Sequence, residues 1–404
     1  MNPLRIAIVG CGTTGPAAAL LLARSGHEVE IFEQAPDCKP VGAGFLLQPS
    51  GMSVLAELGI LDEVIDHGSK VRWLFCQTVE GRTLLDLHYE EIAKNAFGAG
   101  LHRSVLLSIL LRELDAAGIP VRWDSPVDAV DGDRLVVRGE RRGPFDLILL
   151  ADGANSRVRD STGISGKANR YPWGAIWWIG QDRANQFDES ELNQVVDGTG
   201  KMLGFLPTGR AFGRNETEFS LFWSFRLADR ERWLATPIDL WKQQLLALMP
   251  KAEAFLEPIE SHDQLTIASY LDVRYRRWHT KNLALLGDCG HAMSPQLGQG
   301  VNLGLLDART LVECLDSAKS LPRALAAYTK RRRASLRYYQ FATRWLTPFF
   351  QSNHEWLTPL RDFGFPILNR IPPARRQMIE TMMGLRQNAL FSDLQLLASV
   401  DFSA

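Results

Sequence analysis

Residues 5–35 read RIAIVGCGTTGPAAALLLARSGHEVEIFEQA. The stretch predicts a strand, a glycine turn, a helix and a second strand. Arg5–Val9 is a short β-prone run, and Gly10, Gly12 and Gly15 are spaced as G-x-G-x-x-G. Residues 16–25 are rich in Ala and Leu, with Pro16 near the first turn, where its missing N–H costs nothing. Gly26 stops the helix, and residues 29–32 form a second strand that ends at Glu33. The three glycines serve different ends. Gly10 permits the tight turn, Gly12 lets the backbone approach a pyrophosphate, and Gly15 lets helix and strand pack closely. The helix start around Thr14 offers unpaired N–H groups and a partial positive charge to phosphate. Glu33 follows Gly15 by 18 residues, close to the roughly 20 at which an acid holds ribose hydroxyls. An acid there favours a ribose without a 2′-phosphate, so NAD or FAD fits this unit better than NADP.

Two further stretches repeat the pattern of a buried strand ending in a polar turn. Residues 147–151 are apolar and lead into Asp152–Gly153, followed by Arg157 and Arg159. Residues 283–286 are apolar and lead into GDCGHAMSPQLGQGVN, residues 287–302. Open α/β sheets bind ligands at the carboxyl ends of such strands. Asp288 stands at one of those ends and can accept hydrogen bonds from sugar hydroxyls. Gly298 and Gly300 flank Gln299 just before a helix that starts near Val301.

Taken in order, GCGTTG with Glu33, ADGANSRVR at 151–159 and GDCGHAMSPQLGQGVN resemble the FAD-dependent single-component aromatic monooxygenases, the family of p-hydroxybenzoate and salicylate hydroxylases. The resemblance covers roughly residues 1–330. It implies an α/β fold with a Rossmann-like FAD-binding domain and a β-sheet substrate domain; beyond it, the stretches YTKRRRASLRYYQFATRWLTPFF and PPARRQMIETMMGLRQNALF read as a C-terminal helical region. The implied FAD-binding domain is discontinuous, 1–170 with 271–330. The β-rich substrate domain spans 171–270, with 71–99 as a candidate addition, and the C-terminal helices span 331–404. The resemblance places Gly10, Gly12, Thr14, Gly15 and Glu33 at the ADP part of FAD, Arg103 near its phosphates and Val127 by the adenine. Asp152 would touch FAD and help NADH or NADPH to dock. Asp288 would meet the ribityl chain. Ala43 and Gly44 with Pro295, Gly298, Gln299, Gly300, Val301 and Asn302 would surround the ring, the last turn aiming N–H groups at the region that becomes negative on reduction. NAD(P)H would reduce FAD, and O2 would yield a flavin hydroperoxide that hydroxylates an aromatic or heteroaromatic ring. Relatives often carry Ala-Ala or Ala-Ser where this chain has Cys289–Gly290; small residues are retained, so Cys289 reads as buried packing and His291 as structural.

The substrate region is aromatic. WGAIWWI at 173–179 and TEFSLFWSF at 217–225 are strand-like, and Trp177, Trp178, Phe222 and Trp223 are the candidate pocket residues. No residue stands out as a general base, and none of the Cys/His spacings suits a metal. Flavin-dependent halogenases share the fold but carry W-x-W-x-I-P, which this stretch does not match. A non-catalytic flavin-binding module is the other alternative.

Composition agrees with an enzyme of small molecules. Lys+Arg number 45 and Asp+Glu 46, for a net charge of −1, which gives no support to nucleic-acid binding. No run is long and apolar enough for a spanning helix, and Gly10, Gly12, Gly15 and Pro16 break up the one stretch that could pass for a secretory leader. Five scattered cysteines suit reduced thiols and a cytoplasmic setting. The partners expected are an aromatic small molecule and O2, with the chain as a monomer or homodimer. The basic run at 330–337 is expected to be a solvated helix face or to pack on the flavin domain rather than to meet an acidic membrane.

Overall fold

The structure, a computed structural model, describes residues 2–37 and 43–403; Cys38 lies outside them. The strand Arg5–Val9 is central to a parallel five-stranded sheet. Leu147–Leu150 lies on one side of it and Glu28–Phe32 on the other, with Leu283–Leu285 and Val121–Arg122 at the edges. All four residues of Leu147–Leu150 are buried, as are Ile6 to Val9. Continuous apolar runs are what a parallel strand needs when both its faces are covered. The helices Thr14–Arg24, Arg103–Ala116 and Gly300–Ser317 pack within the same core.

The aromatic region forms a seven-stranded sheet. Its order is Thr266–Tyr275, Gly166–Gln181, Glu218–Arg226, Lys201–Gly209, Glu191–Asp197, Trp73–Thr78 and Thr83–His88. Every pairing is antiparallel except that of Glu191–Asp197 with Trp73–Thr78. A small sheet of Gly44–Leu47, Gly98–His102 and Ser69–Val71 joins the two larger ones. The joint is tight: a Cβ on Gly100 would sit 1.8 Å from the Pro207 carbonyl oxygen, and one on Gly44 would sit 2.0 Å from the Thr208 methyl. Glycine is therefore demanded at both places by close approach of two sheets.

The seven-stranded sheet has two differently covered faces. Along Gly166–Gln181 the side chains alternate, so Ile176 and Trp178 face one way and Trp177 the other. Trp177 pairs across the sheet with Phe222, and Ile176 with Trp223. Ile176, Trp223, Phe205 and Phe225 form a core with Trp241, Leu245 and Phe255 from the helices Ile238–Leu248 and Glu253–Leu256, and Trp178 packs on it. The other face carries Leu192, Leu206 and Phe222, with Trp177 against them and Leu46 and Val71 from the small sheet.

The C-terminal helices are Leu321–Phe350, Leu357–Arg370 and Pro372–Met382. The first lies along Gly300–Ser317, where the Tyr328 hydroxyl donates to the Leu285 carbonyl at 3.0 Å and the Gln340 amide to that of Val273 at 2.7 Å. No helix among the described residues is long and apolar enough to cross a membrane.

Candidate functional site

Four distant segments meet at the carboxyl end of the parallel sheet. Gly10 has φ +102°, and a Cβ there would lie 2.6 Å from the Ala151 carbonyl oxygen and 2.7 Å from Asp152 Cα. The first glycine turn is thereby pressed on the Asp-Gly turn. A Cβ on Gly15 would lie 2.1 Å from the Gly10 oxygen. Thr14 closes the other side: its hydroxyl oxygen would be 2.9 Å from a Cβ on Gly287 and 2.3 Å from one on Gly304. These glycines are fixed by packing, whereas Gly12 is exposed and a Cβ there would meet nothing within 4 Å. It borders open space beside the uncapped start of Thr14–Arg24.

Glu33 is half-buried and holds the turn. One carboxylate oxygen accepts the Cys11 N–H at 2.7 Å and the other that of Ala35 at 2.9 Å. Each oxygen has a second lone pair for a further donor. Arg103 opens its helix, is exposed, and makes no hydrogen bond or ion pair among the described residues. Val127 begins the strand Val127–Asp131 and is half-buried.

Asp152 is pushed up by burial, against hydrogen bonds with Ser156 and Cys289. Its Oδ1 is buried with no partner among the described residues, and an orphaned carboxylate oxygen of this kind invites a donor from a ligand. Arg159, buried, donates to the Cys289 carbonyl at 2.8 Å, which ties the second motif to the third.

The third motif ends in a helix start without a cap. Gly298 is left-handed (φ +62°), and its N–H is used locally, donating to the Pro295 carbonyl at 2.8 Å. Leu303 makes the hydrogen bond to the Gln299 carbonyl, at 2.9 Å, so the N–H groups of Gly300, Val301 and Asn302 stand ahead of the ladder. No side chain caps them and no acid lies in the first turn. Asp288 is exposed, and a Cβ on Gly300 would sit 3.4 Å from its Oδ1.

Three residues expected beside the ring also have partners within the protein. Gln299 is buried and donates to the Met382 carbonyl at 2.7 Å, so its side chain anchors the C-terminal region. Asn302 is a clamp: its Oδ1 accepts the Gln48 N–H at 2.8 Å and its Nδ2 donates to the Leu46 carbonyl at 3.3 Å. Gly44 is buried and gives its N–H to the Ser220 hydroxyl at 2.9 Å; Ala43 beside it is half-buried. Pro295 opens a single 3-10 turn, Pro295–Leu297.

Of the four aromatic candidates, pleat parity keeps two on the inner face. Trp177 and Phe222 have ring centroids 5.2 Å apart. Trp178 and Trp223 face the other way and pack in the outer aromatic core. The inner face also holds Tyr270, which sequence reading missed. Its hydroxyl accepts the Trp177 Nε1–H at 3.1 Å. Burial pushes its phenol up, against the Trp177 hydrogen bond and the Arg103 charge, so it remains a neutral O–H donor.

A charged support lies behind the third motif. Asp307 is fully buried and accepts from His291 Nε2 at 2.5 Å, Gly287 N–H at 2.9 Å and Arg332 Nε at 2.6 Å. Burial alone would raise its carboxyl, but His291 and Arg332 outweigh that and hold it below the usual carboxylate range. The basic run thus sends Arg332 inward to the flavin-domain helix. An Asp on the apolar stripe of LGLLDARTL was the one sequence signal for this cluster.

An uncapped helix start beside Gly12, a second beside Gly300, the orphaned Asp152 oxygen and an exposed Asp288 suit a long dinucleotide with phosphates, sugar hydroxyls and an electron-accepting ring. Comparisons agree. A family model described as "FAD binding domain" matches residues 4–339. The chain is 28% identical over 336 residues to 3-amino-4-hydroxybenzoate 2-monooxygenase of Streptomyces cremeus, covering 79% of this chain and 80% of that protein. It is 27% identical over 359 residues to kynurenine 3-monooxygenase of Salinispora arenicola, covering 81% and 76%. The tetrameric form of 2-methyl-3-hydroxypyridine-5-carboxylic acid oxygenase superposes with a TM-score of 0.74 at 26% identity, over 88% of this chain and 94% of that one. These relatives are named as monooxygenases or oxygenases, which disfavours the halogenase alternative. From the motifs, the geometry and these matches together, the chain belongs to the FAD-dependent aromatic monooxygenases.

Proposed function

We propose that the protein uses NADH or NADPH and O2 to hydroxylate a small aromatic or heteroaromatic ring held against Trp177, Phe222 and Tyr270. The observation that carries this reading is the double engagement of Leu46. Its carbonyl accepts from Asn302 of the uncapped helix, while its side chain packs in the cluster that contains Phe222. One short strand therefore couples the cofactor side to the aromatic face.

Bound FAD supplies the electron transfer and the oxygen activation. Glu33 would hold its adenosine ribose, the start of Thr14–Arg24 its pyrophosphate, and Asp288 its ribityl hydroxyls. The uncapped helix start at Gly300 would stabilise negative charge at the ring through oriented N–H groups and the helix dipole. Trp177 and Phe222 exclude water and offer flat apolar surface. Tyr270 is fixed by the Trp177 indole, so its own O–H is free to donate to a polar substituent and set which ring carbon is presented.

The test is a screen of phenols, quinolones and heteroaromatic acids for stimulated NADH or NADPH oxidation by the FAD-loaded protein, with oxygen-dependent hydroxylated product measured. Gly300→Val should weaken FAD by at least about tenfold by filling the space before the helix start. A protein that takes up no FAD, or a Gly300→Val variant with unchanged FAD affinity, overturns the placement.

A further inference from the structure

The C-terminal helix Leu357–Arg370 is apolar on both faces. Its inward stripe is Leu357, Arg361 and Phe365, all buried. Arg361 is 1% exposed and donates to the carbonyls of Gly198 and Phe349 at 2.6 and 3.0 Å. Its outward stripe, Trp356, Leu360, Phe363 and Ile367, follows i, i+4, i+7, i+11 and is apolar throughout. A surface helix of a globular protein normally carries polar residues on its outward face. The neighbouring helix Leu321–Phe350 extends the patch with Phe341 and Trp345; Trp345 stacks on Phe365 with centroids 6.2 Å apart. These six outward side chains are each 49–72% exposed. Together they expose on the order of several hundred Å², at or above the largest patch of an ordinary monomer.

Charge identifies the occupant. Residues 323–376 hold eleven Lys and Arg against two Asp and Glu; six of the eleven are in ion pairs, and Arg323, Lys330, Arg333, Arg337 and Arg370 have none among the described residues. Along Leu321–Phe350 the outward stripe runs Lys330, Arg333, Arg337, then Phe341 and Trp345, passing from basic to aromatic. Arg82 lies over the Phe363 ring at 4.5 Å, and Arg370 is exposed at the helix end. Of the two acids, Asp362 is tied to Arg361 at 2.8 Å and Glu355 is exposed near Gly198. Aromatic side chains bordered by arginines match a bilayer interface with anionic headgroups. A second copy of the chain fits less well, because a two-fold contact through this patch sets its basic border against its own image.

We propose that this face docks the protein peripherally on an anionic lipid surface, with Phe341, Trp345, Trp356, Leu360, Phe363 and Ile367 entering the headgroup boundary and Lys330, Arg333, Arg337 and Arg370 meeting lipid phosphates. The face is separate from the flavin site, so its failure would leave the catalytic reading intact.

The experiment is co-sedimentation of the full FAD-loaded chain with vesicles of phosphatidylcholine plus phosphatidylglycerol, and with phosphatidylcholine alone. The expected result is binding to the mixed vesicles, weakened roughly tenfold or more by Trp356→Ser with Phe363→Ser and Ile367→Ser, and likewise by Arg337→Glu with Arg370→Glu. Retained flavin absorbance reports that each variant is folded. With wild-type protein, the mixed vesicles should slow amide hydrogen exchange at 341–345 and 356–371. Absence of sedimentation with mixed vesicles overturns the proposal. So does equal binding to both vesicles, or a concentration-dependent dimer in light scattering that the triple serine variant abolishes.

Discussion

Trp177 and Trp178 are adjacent in the chain and belong to different machines. Trp177 shares a face with Phe222 and donates its indole N–H to Tyr270. Trp178 points the other way and meets Phe255 edge-on, with centroids 5.0 Å apart. The inner face has a polar handle and borders the strand coupled to the flavin helix. The outer face is closed by helices and is an aromatic core. Residue type is the same on both; what differs is which layer covers each side of the sheet.

The largest expected effect lies on the outer face. Trp223→Ala should cost about 3–5 kcal/mol of stability in urea unfolding, while the folded fraction keeps its substrate KM. A change in KM larger than the loss of stability would erase the distinction between the faces. On the inner face, Trp177→Phe and Tyr270→Phe should each raise substrate KM about tenfold, the worth of one hydrogen bond of about 1.4 kcal/mol. If each matches the double variant, the two residues act as one unit, as their 3.1 Å bond requires. Substrate kinetics of the three variants decide this.

The pH axis sharpens the contrast further. The Tyr270 phenol is raised in the folded protein, so its contribution to stability is present below its unfolded pKa of about 10 and is lost as pH rises beyond it. The stability advantage of wild type over Tyr270→Phe should therefore shrink as pH rises through about 10; an advantage that grows would reverse the assignment. The smallest effect is expected for Trp178→Phe, a modest loss of volume in a half-buried position: less than about 1.5 kcal/mol and no change in KM.

Much of the flavin side was legible because its rules are local. Gly15 is demanded within its own turn by the Gly10 oxygen and Gly10 by Ala151 at the end of the neighbouring strand, and apolar runs ending in Asp152 and Asp288 announce parallel strands. The side chains of Gln299 and Asn302 were not legible. Their partners, Met382 and residues 46–48, are brought in from opposite ends of the chain. Tyr270 was missed because a single Tyr in a strand acquires meaning only when the Trp177 strand pairs beside it.

By itself the sequence determined the Rossmann-like unit, the three nucleotide motifs and the aromatic character of the substrate sheet, since glycine spacing and apolar runs are conditions on the backbone that neighbours in the chain impose. Only the tertiary structure decided which face of IWWI meets the small sheet and Tyr270 and which meets the helices, because a strand buried on both sides carries no alternation to read. It also decided that Arg361 lies inside and Phe363 outside: helix periodicity fixes which residues share a face, and packing fixes which face meets the protein.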